Sequence, residues 1–291
     1  MAESLLRGEG MEVGIIGTGT VGSTIAIRLW QSGYHITYVA SRTTEKAAGL
    51  ARRIGAKVAQ IERVIEESEV VFITTPDQTI ESLVKKYAAV FKPHQLVVHC
   101  SGALSSRILQ PAREQGAKAL SIHPLQSFAS IELALQALES THFSIEGDEP
   151  EAGVEIVKAL GGIPHIISPE GKILYHAGAC FVSNYLAVLA EIGVKLLEMG
   201  GFQSEEALPA LIPLMQGSVD NLRNLGLPDA LTGPVSRGDI GVVRSHLAKL
   251  PAEYREVYRL LGLKATVIGE EKGTLRADTK EQIVKLLTGD K

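Results

Sequence analysis

The sequence predicts an α/β fold, a doubly wound and mostly parallel sheet, followed by an all-α second domain. Three observations predict it. Short β-rich runs alternate with helical segments through the first half. A glycine-rich turn directly follows the first of those runs. After Pro169 the strand-like runs stop, and long helix-forming stretches take over.

The elements are expected in this order. Residues 13–16 form a short apolar strand that ends in glycine, and residues 23–31 a helix. Residues 36–39 form a second strand, and residues 44–54 a helix rich in Ala, Lys and Arg. Val58 starts a short third strand or loop. Residues 69–74 form a fourth strand stopped by Pro76, residues 95–99 a fifth, and residues 119–122 a sixth stopped by Pro124. Residues 142–146 and 163–167 are two further strands, with a helix at 151–160 between them. Residues 172–199 read as almost unbroken helix. Helices follow at 204–225, 239–249, 252–261 and 280–287, punctuated by Gly226, Pro228, Gly233, Pro234 and Pro251. The boundary falls near residues 168–171, giving an α/β domain over 1–168 and a helical domain over 169–291.

Bulk properties bound the function. A chain of 291 residues that is 45% hydrophobic can bury one or two full cores. A net charge of −4 gives no electrostatic reason to expect nucleic acid or an anionic membrane as partner. Two cysteines, Cys100 and Cys180, are too few for a disulfide framework and fit free thiols in a reducing cytoplasm. No apolar run is expected to approach the roughly 20 residues of a membrane span. The first ten residues lack a signal core and read as a loose leader. No metal-ligand spacing is present: the chain has no H-x-x-x-H, no C-x-x-C and no acidic cluster.

Gly17, Gly19 and Gly22 spell G-x-G-x-x-G between a strand and a helix, the context in which that pattern indicates a Rossmann dinucleotide site. The first glycine permits the tight turn, the second the approach of a pyrophosphate, and the third close helix–strand packing. With Thr18, Thr20 and Val21 between them, they present free helix N-terminal N–H groups to phosphate. An NAD site would carry an acid about 20 residues further on. Here the second strand ends in Ala40, Ser41, Arg42 and Thr43, hydroxyls and a guanidinium suited to a 2′-phosphate, so the expected cofactor is NADP. Thr74, Thr75, Pro76 and Asp77 after the fourth strand and Cys100, Ser101 and Gly102 after the fifth should flank the nicotinamide ribose.

Chemistry is expected from the long helix. Lys172, His176 and Cys180 step by four residues, and Ser183 and Asn184 return to the same stripe at about 100° per residue. Lys172 is a candidate to stabilise an alkoxide or donate a proton, His176 is a second candidate acid, and Asn184 is a candidate to orient a carbonyl or carboxylate. The structural alternative makes Lys172 an exposed first-turn residue and His176 an interior imidazole. His123, fixed by Pro124 at the end of the sixth strand, is a further candidate at the ligand edge. In the stretch Leu231–Asp239 the structural reading is favoured: a compact loop with Asp239 as helix cap, Arg237 being the alternative contact for a substrate carboxylate or a partner subunit.

Together GIIGTGTVG, the SRT after the second strand, SIHPLQSF, YHAGACFVSNY and TGPVSRGD resemble a bacterial family of NADP oxidoreductases that joins a Rossmann domain to a helical domain of unknown function. More distantly the layout is similar to the superfamily of 6-phosphogluconate dehydrogenase, ketopantoate reductase, pyrroline-5-carboxylate reductase and deazaflavin-dependent NADP reductases. The resemblance implies a helical domain that dimerises and closes over the nicotinamide. Lys172 matches the catalytic Lys of ketopantoate reductases, while His176 replaces the Asn a turn later and an Asn appears only at 184. Ser101 and His123-Pro124 match residues of prephenate dehydrogenases.

These readings lead to an NADPH-dependent reductase of a small carbonyl or imine substrate bearing a carboxylate, with a ketopantoate-like 2-keto acid as the first candidate. The alternatives are oxidation of a prephenate-like hydroxy acid through His123 and Ser101, and a non-catalytic NADP-binding regulator. The expected partners are a small molecule and a second copy of the chain, joined through the helical domain.

Overall fold

The computed structural model describes residues 11–289, so the leader expected over residues 1–10 lies outside the described residues. The chain divides into two compact units, one up to Asn184 and one from Tyr185.

The first unit holds an eight-stranded sheet: β1 (Glu12–Ile16), β2 (His35–Ala40), β3 (Lys57–Val58), β4 (Val70–Ile73), β5 (Leu96–His99), β6 (Lys118–Pro124), β7 (His142–Gly147) and β8 (Ile163–Ile166). Its order is β3-β2-β1-β4-β5-β6-β7-β8. All neighbours are parallel except β6 and β7. The four residues of β4, VVFI, are all buried. A strand covered on both faces needs no polar alternation, which is why it reads as a continuous apolar run. Two cores result. Val13, Ile15, Phe72 and Val98 point to one face, and Ile16, Val71, Ile73 and Val97 to the other. Each fully buried aliphatic or aromatic side chain contributes roughly 1.5–3 kcal/mol.

The helices of this unit are α1 (Thr20–Gln31), α2 (Thr44–Ile54), α3 (Ile61–Glu66), α4 (Asp77–Lys86), α5 (Gln110–Arg113), α6 (Ile131–Ala137), α7 (Pro150–Ala159) and α8 (Lys172–Val182). Helix α2 has the span expected from its sequence, and Gly55 ends it in the left-handed conformation. Three of the helices not anticipated are α3, α4 and α6. The first and last have six and seven residues, too short for a helical period to show, and α4 begins directly behind Pro76. Helix α8 belongs to the sheet unit, and its first residue, Lys172, is 1% exposed.

The second unit is helical: α9 (Asn184–Met199), α10 (Ser204–Leu225), α11 (Pro234–Arg237), α12 (Ile240–Lys249), α13 (Ala252–Glu271) and α14 (Ala277–Thr288). Val235, Val243, Leu275, Ile283 and Leu287 form its buried core. Helix α13 runs ten residues beyond its expected end, since Gly262 lies inside it. A Cβ there would stand 2.9 Å from Leu287, so the glycine serves helix packing and not termination. Asp239 caps α12 by accepting from the Val242 N–H at 3.1 Å. Helix α9 has no buried residue, and α10 buries only Ala207.

One expectation is corrected. The helical stretch Lys172–Met199 is long and apolar enough, by length and composition, to cross a membrane. Between residues 173 and 190 it carries no Asp, Glu, Lys or Arg. His176, Ser183 and Asn184 interrupt the apolar pattern and hide that length.

Candidate functional site

Strand order sets the site. The chain runs outward from β1 to β2 and β3, then crosses back to β4 on the other side of β1. The crevice outside the carboxyl ends of β1 and β4 is therefore the ligand position in such a sheet. A cleft of about 1390 Å³ occupies it, lined at its centre by Gly17, Thr18, Gly19, Thr20 and Val21.

The three glycines have different causes. Gly17 has φ +109°, and a Cβ there would meet the Thr74 backbone at 2.7 Å. At Gly22 a Cβ would stand 2.1 Å from the Gly17 carbonyl oxygen and 2.3 Å from Thr74 Oγ1. Both are demands of the fold. Around Gly19 nothing lies within 4 Å of that position, so its missing side chain leaves open space at the N-terminus of α1. Gly19 offers no side-chain cap to the helix, leaving its first N–H groups to a ligand. Beside them the Thr18 and Thr75 hydroxyls are buried and have no partner among the described residues. An open cradle, free N–H groups and orphaned hydroxyls fit a dinucleotide pyrophosphate. Thr74 also lines the cleft, and its hydroxyl holds the turn by donating to the Gly17 carbonyl at 2.6 Å.

At one end the cleft is lined by Ser41, Arg42, Thr43, Lys46, Lys57 and Arg63. Arg42 is exposed, and it has no ion pair among the described residues. Arg63 lies over the Tyr38 ring, 5.1 Å from its centroid. At the other end stand Thr75, Pro76, Asp77, Cys100, Ser101 and Phe128. Ser101 Oγ donates to Asp77 Oδ2 at 2.6 Å and accepts from the N–H groups of Ala103 and Leu104. Its hydroxyl is thus committed to fixing the turn after β5. Sequence reasoning missed Lys46, Lys57, Arg63 and Phe128.

Beside Ser101, two imidazoles meet over Gly102. A Cβ at Gly102 would stand 2.6 Å from His176 Nδ1 and 2.8 Å from His123 Nε2. His123 Nδ1 lies 2.9 Å from the Tyr175 hydroxyl, and His176 Nε2 lies 3.7 Å from Cys180 Sγ. His176 Nδ1 is buried and has no hydrogen-bond partner among the described residues. Burial, and then the Lys172 and His176 charges, push His123 down to about 3. It is therefore a neutral imidazole at physiological pH.

Lys172 lies beneath this pair and does not line the cleft. Its Nζ donates to Ser121 Oγ at 2.5 Å. Burial lowers it to about 8, against the opposing pull of Glu146, Cys100 and Asp77. Register explains the polar floor around it. His99, Ser121 and Glu146 stand side by side across β5, β6 and β7, all buried. Burial and the Lys172 charge push His99 down to about 3. The structure thus groups His123, His176 and Ser101, places Lys172 underneath, and leaves Asn184 apart. The helix breaks at Ser183, whose φ and ψ are −113° and −69°, and both Ser183 and Asn184 are exposed. The stripe projected onto one continuous helix therefore stops at Cys180. In the second unit the stretch expected as a compact loop carries the one-turn helix α11, with Arg237 exposed at its end and Ser236 buried against Thr274 at 3.1 Å.

Comparison with known proteins agrees with this layout. Residues 2–124 match a Rossmann-like domain, and residues 141–265 match a domain of unknown function, DUF2520. The crystal structure of protein TM1727 from Thermotoga maritima is 30% identical, with a TM-score of 0.72 over 90% of this chain and 99% of that one. A pyrroline-5-carboxylate reductase from Streptococcus pyogenes shares the fold at 19% identity, TM-score 0.61, over 88% and 98% of the two chains. An NADH-preferring ketol-acid reductoisomerase from an uncultured archaeon does so at 16% identity, TM-score 0.67, over 99% and 95%. A glutamyl-tRNA reductase of Caldivirga maquilingensis is 36% identical over 73 residues, which is 24% of this chain and 18% of that protein. The chain belongs to the family that TM1727 represents, in which a Rossmann-like nucleotide-binding domain precedes the DUF2520 helical domain.

Proposed function

We propose that the protein is an NADPH-dependent oxidoreductase that reduces a small carbonyl or imine compound. The observation that carries this reading is the cleft itself. It runs from a cluster of cations at the end of β2, past an open glycine cradle, to a turn that adjoins two imidazoles. Arg42, Lys46, Lys57 and Arg63 suit a 2′-phosphate, and Asp77, the acid among the lining residues, stands at the far end. Gly19, Thr18 and the N-terminus of α1 would hold the pyrophosphate, and Thr75 and Ser101 would flank the nicotinamide ribose. When bound, NADPH supplies a hydride. His123 then polarises the substrate's C=O or C=N bond from Nε2, and His176 stands beside it. Burial keeps His123 and His99 neutral, and the Lys172 charge below the site adds to it.

The test is NADPH absorbance against a panel of 2-keto acids, cyclic imines and simple ketones. Ketopantoate-like 2-keto acids come first, as the carboxylate-bearing class. Oxidation of NADPH by one class supports the reading. No turnover on any member, together with tight NADPH binding, favours a nucleotide-binding regulator.

The same proposal includes a cytoplasmic homodimer. Both cysteines are free thiols. Helices α9 and α10 expose Tyr185, Val188, Ile212, Leu214 and Leu225, each at least half exposed. Apolar surface on this scale is what an obligate partner covers, and a second copy is the commonest one.

A further inference from the structure

Tyr175 adjoins His176 on α8, and its role follows from where its proton goes. Backbone pairing with Ser144 in the β6–β7 register fixes the His123 main chain, and Pro124 follows it. The Tyr175 and His123 rings meet edge to face, with centroids 5.6 Å apart at 87°. Two acceptors on His123 lie within reach of the phenol proton, Nδ1 at 2.9 Å and the carbonyl oxygen at 3.5 Å, and the Ser144 hydroxyl also stands near it. The second distance is at the limit of a hydrogen bond. Phenol is also a better proton donor than a neutral imidazole N–H, and an imidazole nitrogen is a better acceptor than a phenol oxygen. Were Nδ1 to hold the proton, the half-buried phenol would have to turn its own to the long contact or to Ser144, and the 2.9 Å contact would pair the weaker donor with the weaker acceptor.

We propose that Tyr175 is a positioning residue: its hydroxyl donates to His123 Nδ1 and so fixes His123 as the Nε2–H tautomer, with that N–H directed to the substrate's carbonyl oxygen or imine nitrogen. The substrate part of this inference rests on the reductase reading above; the tautomer does not. Among the described residues His123 Nε2 makes no hydrogen bond, and it lies over Gly102, one residue from the cleft-lining Ser101. The tautomer also sets the direction of the chemistry. An Nε2–H polarises a double bond for reduction, whereas a bare Nε2 would be needed to take a proton from a hydroxy acid.

The experiment is a long-range ¹H–¹⁵N correlation on histidine-labelled protein without nucleotide, near neutral pH, with His123 assigned from His123→Asn. The native protein is expected to show His123 as a single Nε2–H tautomer. Tyr175→Phe keeps the ring and removes the donor, and should give a mixture of tautomers. In turnover, Tyr175→Phe should lower kcat about tenfold with KM within about twofold, the effect of losing one hydrogen bond. A native Nδ1–H tautomer overturns the proposal, even if the variant fails to fold. So does a Tyr175→Phe spectrum identical to the native one, or a kcat unchanged by the variant. The tautomer is read with neither cofactor nor substrate present. The expected spectra combined with no turnover would therefore support Tyr175 as the tautomer-fixing residue and count against the reductase reading.

Discussion

Lys172 Nζ and Ser121 Oγ form a 2.5 Å hydrogen bond in which both side chains are buried. The lysine's folded value of about 8 lies below its ordinary 10.5, chiefly through burial. Below about pH 8 the buried ammonium therefore opposes folding in full. Between about 8 and 10.5 the folded protein binds fewer protons than the unfolded chain, so stability gains with rising pH across that window. Lys172→Met is expected to raise Tm at pH 7 by roughly 2–4 °C, the equivalent of about 1 kcal/mol. The gap to the native protein should shrink as pH rises through the window. A variant less stable than native at pH 7 in thermal melts contradicts the claim that this cation is held at a cost.

The glycine motif separates fold from ligand. Gly22→Ala would drive a Cβ against the Gly17 carbonyl oxygen at 2.1 Å and should lower stability by about 1–3 kcal/mol. Gly19→Ala meets nothing in the protein and should leave Tm unchanged, while nucleotide affinity falls at least about tenfold. Melting curves and calorimetric titrations of the two variants decide it. Equal effects on stability, or full binding by Gly19→Ala, would sink the assignment of Gly19 to the phosphates.

Gly102→Ala tests the histidine pair. The added carbon must displace His176 Nδ1, His123 Nε2 or both. We expect nucleotide affinity within about twofold of native, and turnover reduced at least about tenfold. Loss of nucleotide binding with turnover per bound nucleotide intact would place the effect at the cleft and not at the imidazoles.

Much of the sheet was legible because each strand announces itself locally, through β-branched runs closed by glycine or proline. The glycine motif was legible for the same reason: its three positions and their context fall within one strand–turn–helix. The site's remaining parts are brought together over long stretches of chain. Lys57 and Arg63 reach the cleft from β3 and α3, 14 and 20 residues past Thr43, and nothing in their own neighbourhood marks them. Tyr175 lies off the four-residue stripe of Lys172, His176 and Cys180, so helical spacing pointed away from it. The burial of Lys172 was not legible either, since no sequence pattern shows that a helix's first residue ends 1% exposed against Ser121. The break at Ser183 is likewise absent from any propensity, because Ser and Asn are tolerated inside helices.

Helices α9 and α10 supply a fourth prediction. If a second copy covers their exposed side chains, sedimentation should show a dimer at micromolar concentration. Tyr185→Glu with Ile212→Glu should shift it towards monomer. A native monomer with no tendency to associate contradicts the homodimer. Recovery with detergent or membranes would assign the apolar stretch Lys172–Met199 to lipid instead.

The central claim is that this cleft takes NADPH, with its 2′-phosphate at Arg42. The most direct measurement is calorimetric titration of NADPH and NADH into the native protein and into Arg42→Ala. A charge-assisted hydrogen bond contributes roughly 1.5–3 kcal/mol, on the order of ten- to a hundredfold in affinity. The account predicts that native protein prefers NADPH by at least about tenfold, and that Arg42→Ala removes most of that preference while changing NADH affinity little. Equal native affinities, or a preference for NADH, would contradict it.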